Sequence, residues 1–317
     1  MTFPRHFISL DALTAEQFRQ LLSVATYLKA RRAPSTVLDG KTLAMIFEKP
    51  SLRTRLSFEQ AMIELGGNAI YIRGEEVGLG TREPVKDAAR VLGRYVHAVM
   101  ARVFKHACIA ELAAHSPVPV INGLSDTTHP CQALADFLTI REHCGRIDGL
   151  TVVFIGDANN VCRSLAHACI LAGSRLVLAC PPAYAFTAAD IAGFGGHWGR
   201  SVIQVHDPKT AVAGADVLAT DVWTSMGQEA EKEQRLRDFQ GFQINDGLLA
   251  ATGGRAKVLH CLPAHRGEEI TDAVMEGPNS LIFDQAENRL HAQKAVLRLL
   301  LAKDAADAAA VIAAAQR

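Results

Sequence analysis

TLAMIFEKPSLRTRLSFE, residues 42–59, joins an apolar run to a polar, arginine-bearing segment. Residues 42–47 read as a buried strand, because a short continuous apolar run that ends at a turn signal suits a parallel sheet covered on both faces. Pro50 stops that strand, and Ser51 is a good N-cap for the helical pattern at 53–66. Leu52, Arg53 and Thr54 then fall in the first helical turn, whose backbone N–H groups lack intrahelical partners and whose dipole favours an anion. Arg53, Arg55, Ser51 and Thr54 add charge-assisted and hydroxyl hydrogen bonds suited to phosphate oxygens. A capped surface helix with two solvated arginines is the competing reading of this stretch taken alone.

The same handover recurs along the chain. Strands are predicted at 69–72, 98–102 and 118–121, with helical patterns at 14–30, 84–95, 106–114 and 131–143. Further strands are predicted at 151–155, 175–179, 202–205, 216–220, 256–260 and 280–283. Apolar runs alternating with helices make βαβ units, so the fold class is α/β: two doubly wound parallel-sheet domains and a C-terminal helix. The polar turn GRIDG, residues 145–149, is the expected boundary. It gives domains at 1–145 and 150–285, followed by a C-terminal helical segment at 286–317 whose Ala-rich end is expected to fray. Ligands of such sheets lie beyond the carboxyl ends of the strands, so the strand-end loops are where chemistry is sought.

The 317 residues are 49% hydrophobic and 21% charged, enough to bury two cores. A formal net charge of zero argues against a nucleic-acid or membrane-surface partner and leaves positive charge a local feature. The seven cysteines are scattered without a CxxC, which suits free thiols in a reducing cytoplasm better than a disulfide framework or a zinc ribbon. No apolar signal core or membrane span is recognisable.

Other strand ends carry unusual residues. Arg102 closes the run AVMAR, where it serves either an anion or a structural ion pair. THPCQALADF, residues 128–137, opens a helix after a strand, so His129 and Gln132 flank its first turn. A neutral imidazole and an amide suit a carbonyl oxygen or an amide group; a helix-capping histidine is the plainer reading. In the second half, TVVFIGDANN has only Gly156 in its turn and lacks GxGxxG, which disfavours a nicotinamide cofactor. Asn159 and Asn160 instead offer amides at a helix N-terminus, suitable for an amino-acid carboxylate. In DVWTSMG, residues 221–227, Asp221 can meet an ammonium group, and Ser225, Met226 and Gly227 begin a polar segment. Cys261 ends the run AKVLH, within HCLPAHRG, a place where a lone cysteine ordinarily fills core.

SLRTR, Arg102 and HPCQ together resemble the transcarbamoylase family, which binds carbamoyl phosphate in its N-terminal domain. GDxNN, DxWxSMG and HCLP resemble the ornithine carbamoyltransferase branch of that family. Motif order and the closing AENRLHAQKAV, residues 286–296, agree, and the resemblance runs from about residue 4 to 301. It implies that Ser51, Leu52, Arg53 and Thr54 form the phosphate loop, and that Arg102 reaches phosphate and carbamoyl oxygen. His129 and Gln132 would bind the carbamoyl end, with Pro130 and Cys131 completing the turn. Leu262, through its carbonyl, and Arg289 would close on carbamoyl phosphate from the other domain, with Cys261 beside them. Leu262–Pro263 is a candidate cis peptide. Asn160, Asp221, Ser225 and Met226 would hold ornithine, and Cys261 would take the amine proton, so Cys261, Arg102 and His129 are the candidate catalytic residues. One departure concerns Gly78, in EEVGLGTREP, where the family often has a glutamine supplied by a neighbouring subunit; Arg82 is the nearest cation.

The resemblance further implies attack of the δ-amine of L-ornithine on carbamoyl phosphate, without a metal or organic cofactor. It also implies a cytoplasmic homotrimer with shared active sites, working in arginine biosynthesis. Alternatives are a sibling transferase acting on N-acetylornithine, putrescine or another amine, and a non-catalytic protein that keeps the fold.

Overall fold

The structure is a computed structural model that describes residues 3–31, 35–225 and 227–316. The chain forms two compact units, Met1–Leu138 with Glu287–Arg317, and Thr139–Ala286. The first contains parallel strands β1 (Thr42–Phe47), β2 (Asn68–Arg73), β3 (Ala98–Arg102) and β4 (Val120–Leu124), in the order β2-β1-β3-β4. The second contains β5 (Thr151–Ile155), β6 (Arg175–Ala179), β7 (Val202–Val205), β8 (Val217–Thr220) and β9 (Lys257–His260), in the order β7-β6-β5-β8-β9. All neighbouring strands pair parallel.

Burial explains why the apolar runs become strands. Every residue of β3 and β8 is buried, as is β1 from Leu43 onward, because helices cover both faces. β2 lies at a sheet edge, and its residues are exposed or half-buried. The first core gathers Ile46, Val99, Ala101, Ile109, Leu112 and Val120. The second gathers Val153, Ile155, Leu218, Phe239, Ile244 and Val258.

Strand order creates a crevice in each unit. The chain runs from β1 outward to β2, then returns to lay β3 on the other side of β1. The carboxyl ends of β1 and β3 therefore flank a topological switch point, where helices on opposite faces leave a gap. In the second unit the switch lies between β5 and β8. SLRTR and Arg102 follow or end the first pair, and GDANN and Asp221 follow the second.

The predicted strand at 280–283 is not a strand. Ser280 makes one isolated bridge to Val258, and Ile282 already opens the helix Ile282–Leu300. A four-residue apolar run carries no period that separates a buried strand from the first turn of a buried helix. The tail forms a packed helix where the sequence reading expects fraying: Asp304 caps the helix Ala305–Ala315, which packs against the helix Ala15–Ala30 and buries Val311. Arg298 fixes it with two bonds to Asp307, at 2.9 and 2.5 Å. Lys294 to Glu64 at 2.6 Å and Lys29 to Asn288 at 2.9 Å join the preceding helix to the first unit. The division between the units falls within the helix Pro130–Cys144, ahead of the turn at 145–149.

Candidate active site

In the first unit, Ser51 caps the helix Leu52–Glu64 and its hydroxyl accepts from the Thr54 amide at 3.4 Å. No acidic residue occupies that first turn, so no carboxylate of its own offsets the positive end of the dipole. Thr54 is buried, and its Oγ1 accepts from Ser51 Oγ at 3.1 Å and from Arg289 Nη2 at 3.3 Å. Arg289 Nη1 also donates to Gln132 Oε1 at 2.7 Å, and Gln132 Nε2 donates to Asp136 Oδ1 at 2.8 Å. This chain of bonds fixes which way the Gln132 amide points. Arg289 thus belongs to the first unit, not to the second as the sequence reading expects. The helix Ile282–Leu300 leaves one unit and enters the other, which residue spacing does not reveal.

Arg102 ends β3 and is 7% exposed. His129 precedes the helix Pro130–Cys144 and is buried beside the guanidiniums of Arg289, Arg102 and Arg53. Burial, and then those three cations, hold its imidazole well below the usual histidine range, so the ring is neutral near pH 7. Cys131 is fully buried, its thiol pushed up to about 12 by desolvation, which makes it packing and not a nucleophile. Pro130 is also buried. Leu52 points outward, 69% exposed, so this residue reaches an anion only through its backbone.

Gly78 has φ +61° and caps the short helix Gly74–Val77 in a left-handed conformation. A Cβ there would come within 2.6 Å of Arg82 Cβ, so this loop shape excludes a glutamine at 78. Arg82 donates to the Glu76 carbonyl at 2.9 Å. A cavity of about 500 Å³ lies beside this loop, lined by Glu48, Pro50, Tyr71, Gly78, Thr81 and Phe104 among others. It borders the turn at Ser51 without containing it, since Arg53, Arg102, His129 and Gln132 are not among its walls.

The second unit builds around Asp221, which follows β8 and is nearly buried. Its Oδ1 accepts from Cys261 Sγ at 2.9 Å and from the Val222 amide at 2.8 Å, while Oδ2 accepts from Asn159 Nδ2 at 2.9 Å. Cys261 therefore acts as a thiol donor here; a thiolate beside that carboxylate would meet like charge. Asn159 is the N-cap of the helix Asn160–Ala172, its Oδ1 accepting from the Val161 and Cys162 amides. With its amide so occupied, Asn159 orients Asp221, and Asn160 alone of the pair remains a candidate for a carboxylate. Ser225 closes a turn with Gln228, and Met226 lies outside the described residues.

The HCLP turn is held from behind. His260 Nδ1 accepts from the Leu262 amide at 2.9 Å, so the ring proton sits on Nε2 and is donated to Glu269 Oε1 at 2.9 Å. Glu269 is fully buried and also accepts from the His265 amide at 2.6 Å. Leu262 has φ +58°, the one non-glycine residue with positive φ among the described residues, and the Leu262–Pro263 bond is cis. His260, Glu269, Asp136 and Arg235 are functional-site neighbours that sequence reasoning missed. HCLPAHRGEE contains two of them, but no local pattern shows which carboxylate folds back under the turn.

Two half-sites of different chemistry result: a cationic turn with an oriented amide in one unit, and a carboxylate with a thiol and an asparagine in the other. Residues 5–142 match the carbamoyl-phosphate-binding domain of aspartate/ornithine carbamoyltransferase, and residues 148–300 match the Asp/Orn-binding domain. The chain belongs to the aspartate/ornithine carbamoyltransferase family. An ornithine carbamoyltransferase of Archaeoglobus fulgidus is 52% identical over 303 residues, covering 95% of this chain and 98% of that one. The solved structure of the Pyrococcus furiosus ornithine carbamoyltransferase is 49% identical, with a TM-score of 0.90 over 94% of this chain and 97% of the other. A solved N-acetyl-L-ornithine transcarbamylase is also similar, at 33% identity and TM-score 0.83 over 92% of this chain and 98% of the other.

Proposed function

We propose that this chain transfers the carbamoyl group of carbamoyl phosphate to the δ-amine of L-ornithine, giving L-citrulline and phosphate for arginine biosynthesis. Relatives about half identical over nearly their full length carry the name ornithine carbamoyltransferase, one of them marked anabolic. Within the site, the bond from Arg289 to Gln132 carries the reading. It ties a guanidinium, a carbamoyl-sized amide and the phosphate turn at Thr54 into one constellation.

The phosphate is gripped by Ser51, Arg53, Thr54 and the backbone at Leu52, with Arg102 and Arg289 completing the positive field. His129 and Gln132 hold the carbamoyl end, with Pro130 and Cys131 shaping their turn, and Leu262 contributes its carbonyl. Asp221 takes the α-ammonium of ornithine, Asn160 its carboxylate, and Ser225 with Met226 flank them. The lone pair of the neutral δ-amine attacks the carbamoyl carbon, the C–O bond to phosphate breaks, and the nitrogen loses a proton. Arg102, Thr54 and His129 supply donors to the oxygen on which charge develops; one such donor is commonly worth about 3–4 kcal/mol. A free amine of pKa ~10.4 is mostly protonated near neutrality, so turnover rises with pH. Cys261, beside Asp221, is the proposed acceptor of the amine proton, a step it takes as the thiolate.

The same reading makes the protein a cytoplasmic homotrimer with active sites shared between copies, in which the Gly78 to Arg82 loop lends its backbone, Arg82 or nothing to a neighbour. Exposed Leu52, Leu56 and Ile63 on one helix, with Ile70 exposed on the edge strand β2, support association with a second copy. Light scattering on the purified chain tests it, and a monomer at micromolar concentration overturns it. Among the described residues no helix is long and apolar enough to cross a membrane.

The deciding experiment is a screen of carbamoyl phosphate against L-ornithine, N-acetylornithine, putrescine and L-aspartate. Citrulline from L-ornithine at the highest kcat/KM is the expected result. Carbamoylation of N-acetylornithine or putrescine with ornithine inert makes the protein a sibling transferase, and no phosphate release with any amine removes the catalytic reading.

A further inference from the structure

Arg235 lies in the helix Lys232–Asp238, is 6% exposed, and joins elements far apart in sequence. Its Nη1 donates to Asp157 Oδ2 at 2.7 Å and to the Trp223 carbonyl at 3.0 Å, and its Nε donates to Glu231 Oε2 at 2.8 Å. The guanidinium also lies 4.8 Å from the centre of the Tyr184 ring, whose hydroxyl donates to Asp238 at 2.9 Å. Asp157 belongs to the turn after β5 that carries Asn159 and Asn160. Trp223 belongs to the turn after β8 that carries Asp221 and Ser225.

We propose that Arg235 is a positioning residue that sets the spacing of these two turns, and with it the affinity for the amino-acid substrate. The inference rests on the reading that ornithine binds at Asp221 and Asn160. Parallel pairing of β5 with β8 stops at Phe154 and Ala219, and beyond that point side chains set the gap: Thr220 Oγ1 to the Ile155 carbonyl at 2.6 Å, Asn159 to Asp221 at 2.9 Å, and Arg235 from behind both turns. Arg235 bridges it through Nη1, whose two N–H groups lie in the fixed plane of the guanidinium, whereas the three N–H groups of a lysine ammonium turn freely. Trp223 has few other anchors of this kind. Its ring stacks on Phe239 at 5.5 Å, whereas its indole N–H and the Thr224 hydroxyl are buried without hydrogen-bond partners among the described residues. A stretch with unsatisfied donors is poorly held by itself. The Glu231 bond adds little, because that carboxylate is exposed.

Steady-state kinetics of R235K, R235A and D157N with both substrates test this. The expected result is a rise in KM for L-ornithine of about 10- to 100-fold, the range spanned by loss of charge-assisted bonds. KM for carbamoyl phosphate stays within about twofold, since Asp157, Trp223 and Arg235 belong to the second unit, whereas Arg53, Thr54, Arg102, His129 and Gln132 belong to the first. Guanidinium chloride, far below denaturing concentration, should restore ornithine affinity to R235A and not to D157N, a rescue that general loosening of the fold does not give. Unchanged ornithine KM in R235K and D157N overturns the proposal. So does a parallel loss of affinity for both substrates, with no rescue. D221N serves as the reference: if it raises ornithine KM while R235K and D157N leave it unchanged, the positioning role alone fails. If D221N leaves ornithine KM unchanged, ornithine binds elsewhere and the underlying reading fails.

Discussion

Arg289 and Gln132, distant in sequence, meet at 2.7 Å inside one unit, and the same guanidinium reaches Thr54 at 3.3 Å. The contact makes Gln132 an oriented group: its oxygen faces a cation and its nitrogen faces Asp136. An amide held at both ends presents a fixed polarity to whatever binds beside it.

Arg289→Ala should therefore do more than remove one positive charge. It frees Thr54 and lets the Gln132 amide turn, so kcat/KM for carbamoyl phosphate should fall by about 100- to 1,000-fold, as for loss of an oxyanion donor. Gln132→Glu should be milder in fold and severe in activity, because an added carboxylate opposes the phosphate. Near-normal turnover in both variants would remove this network from the site.

His129 predicts a pH effect on stability. Its folded pKa is depressed, first by burial and then by Arg289, Arg102 and Arg53. Above the unfolded value of about 6.5 both states are neutral and the group contributes nothing to pH dependence. Below it the unfolded chain takes a proton that the folded site refuses, so stability falls with pH at up to ~1.4 kcal/mol per unit. Urea unfolding between pH 7.5 and 5.5 should show a shallower slope for His129→Gln than for the parent. His6, His106 and His291 are lowered as well and should leave a residual slope in the variant.

Glu269 is a stability lever behind the HCLP turn. Glu269→Gln keeps the shape, weakens the charge-assisted bond to His260 and should cost about 1.5–3 kcal/mol. Because His260 in turn holds the Leu262 amide, the loss should reach activity as well. Calorimetry would register a lower melting midpoint; an unchanged midpoint would mean that the buried pair contributes no net stability.

Cys261 can be assigned by comparing two variants. Cys261→Ser can still donate to Asp221 Oδ1, whereas Cys261→Ala leaves that oxygen without the thiol donor. If the role is to orient Asp221, kcat should fall in the order parent, serine, alanine, with the pH profile retained. If sulfur itself carries the proton, both variants should lose activity alike and shift the alkaline limb. A parent-like kcat in Cys261→Ala would leave the cysteine as packing only.

The sequence by itself determined most of the local structure and much of the chemistry. Apolar runs such as TLAMIF and TVVFI fixed parallel strands, because buried strands need no polar face. Ser51 and Asn159 marked helix starts, because the free amides of a first turn need nearby acceptors. These signals act within a few residues, so they can be seen in one stretch of chain. The run at 280–283 misled because four residues are too few to reveal a period. Tertiary structure alone decided which strand ends became neighbours, bringing Arg102 beside the end of β1 and Asp221 beside Asn159. It also decided that Arg289 serves the first unit, that Asn159 is occupied with a carboxylate, and that Glu269 and Arg235 stand behind the site. Those contacts join residues far apart along the chain, and a side chain's partner across such a distance is set by strand order and packing, which no local pattern encodes.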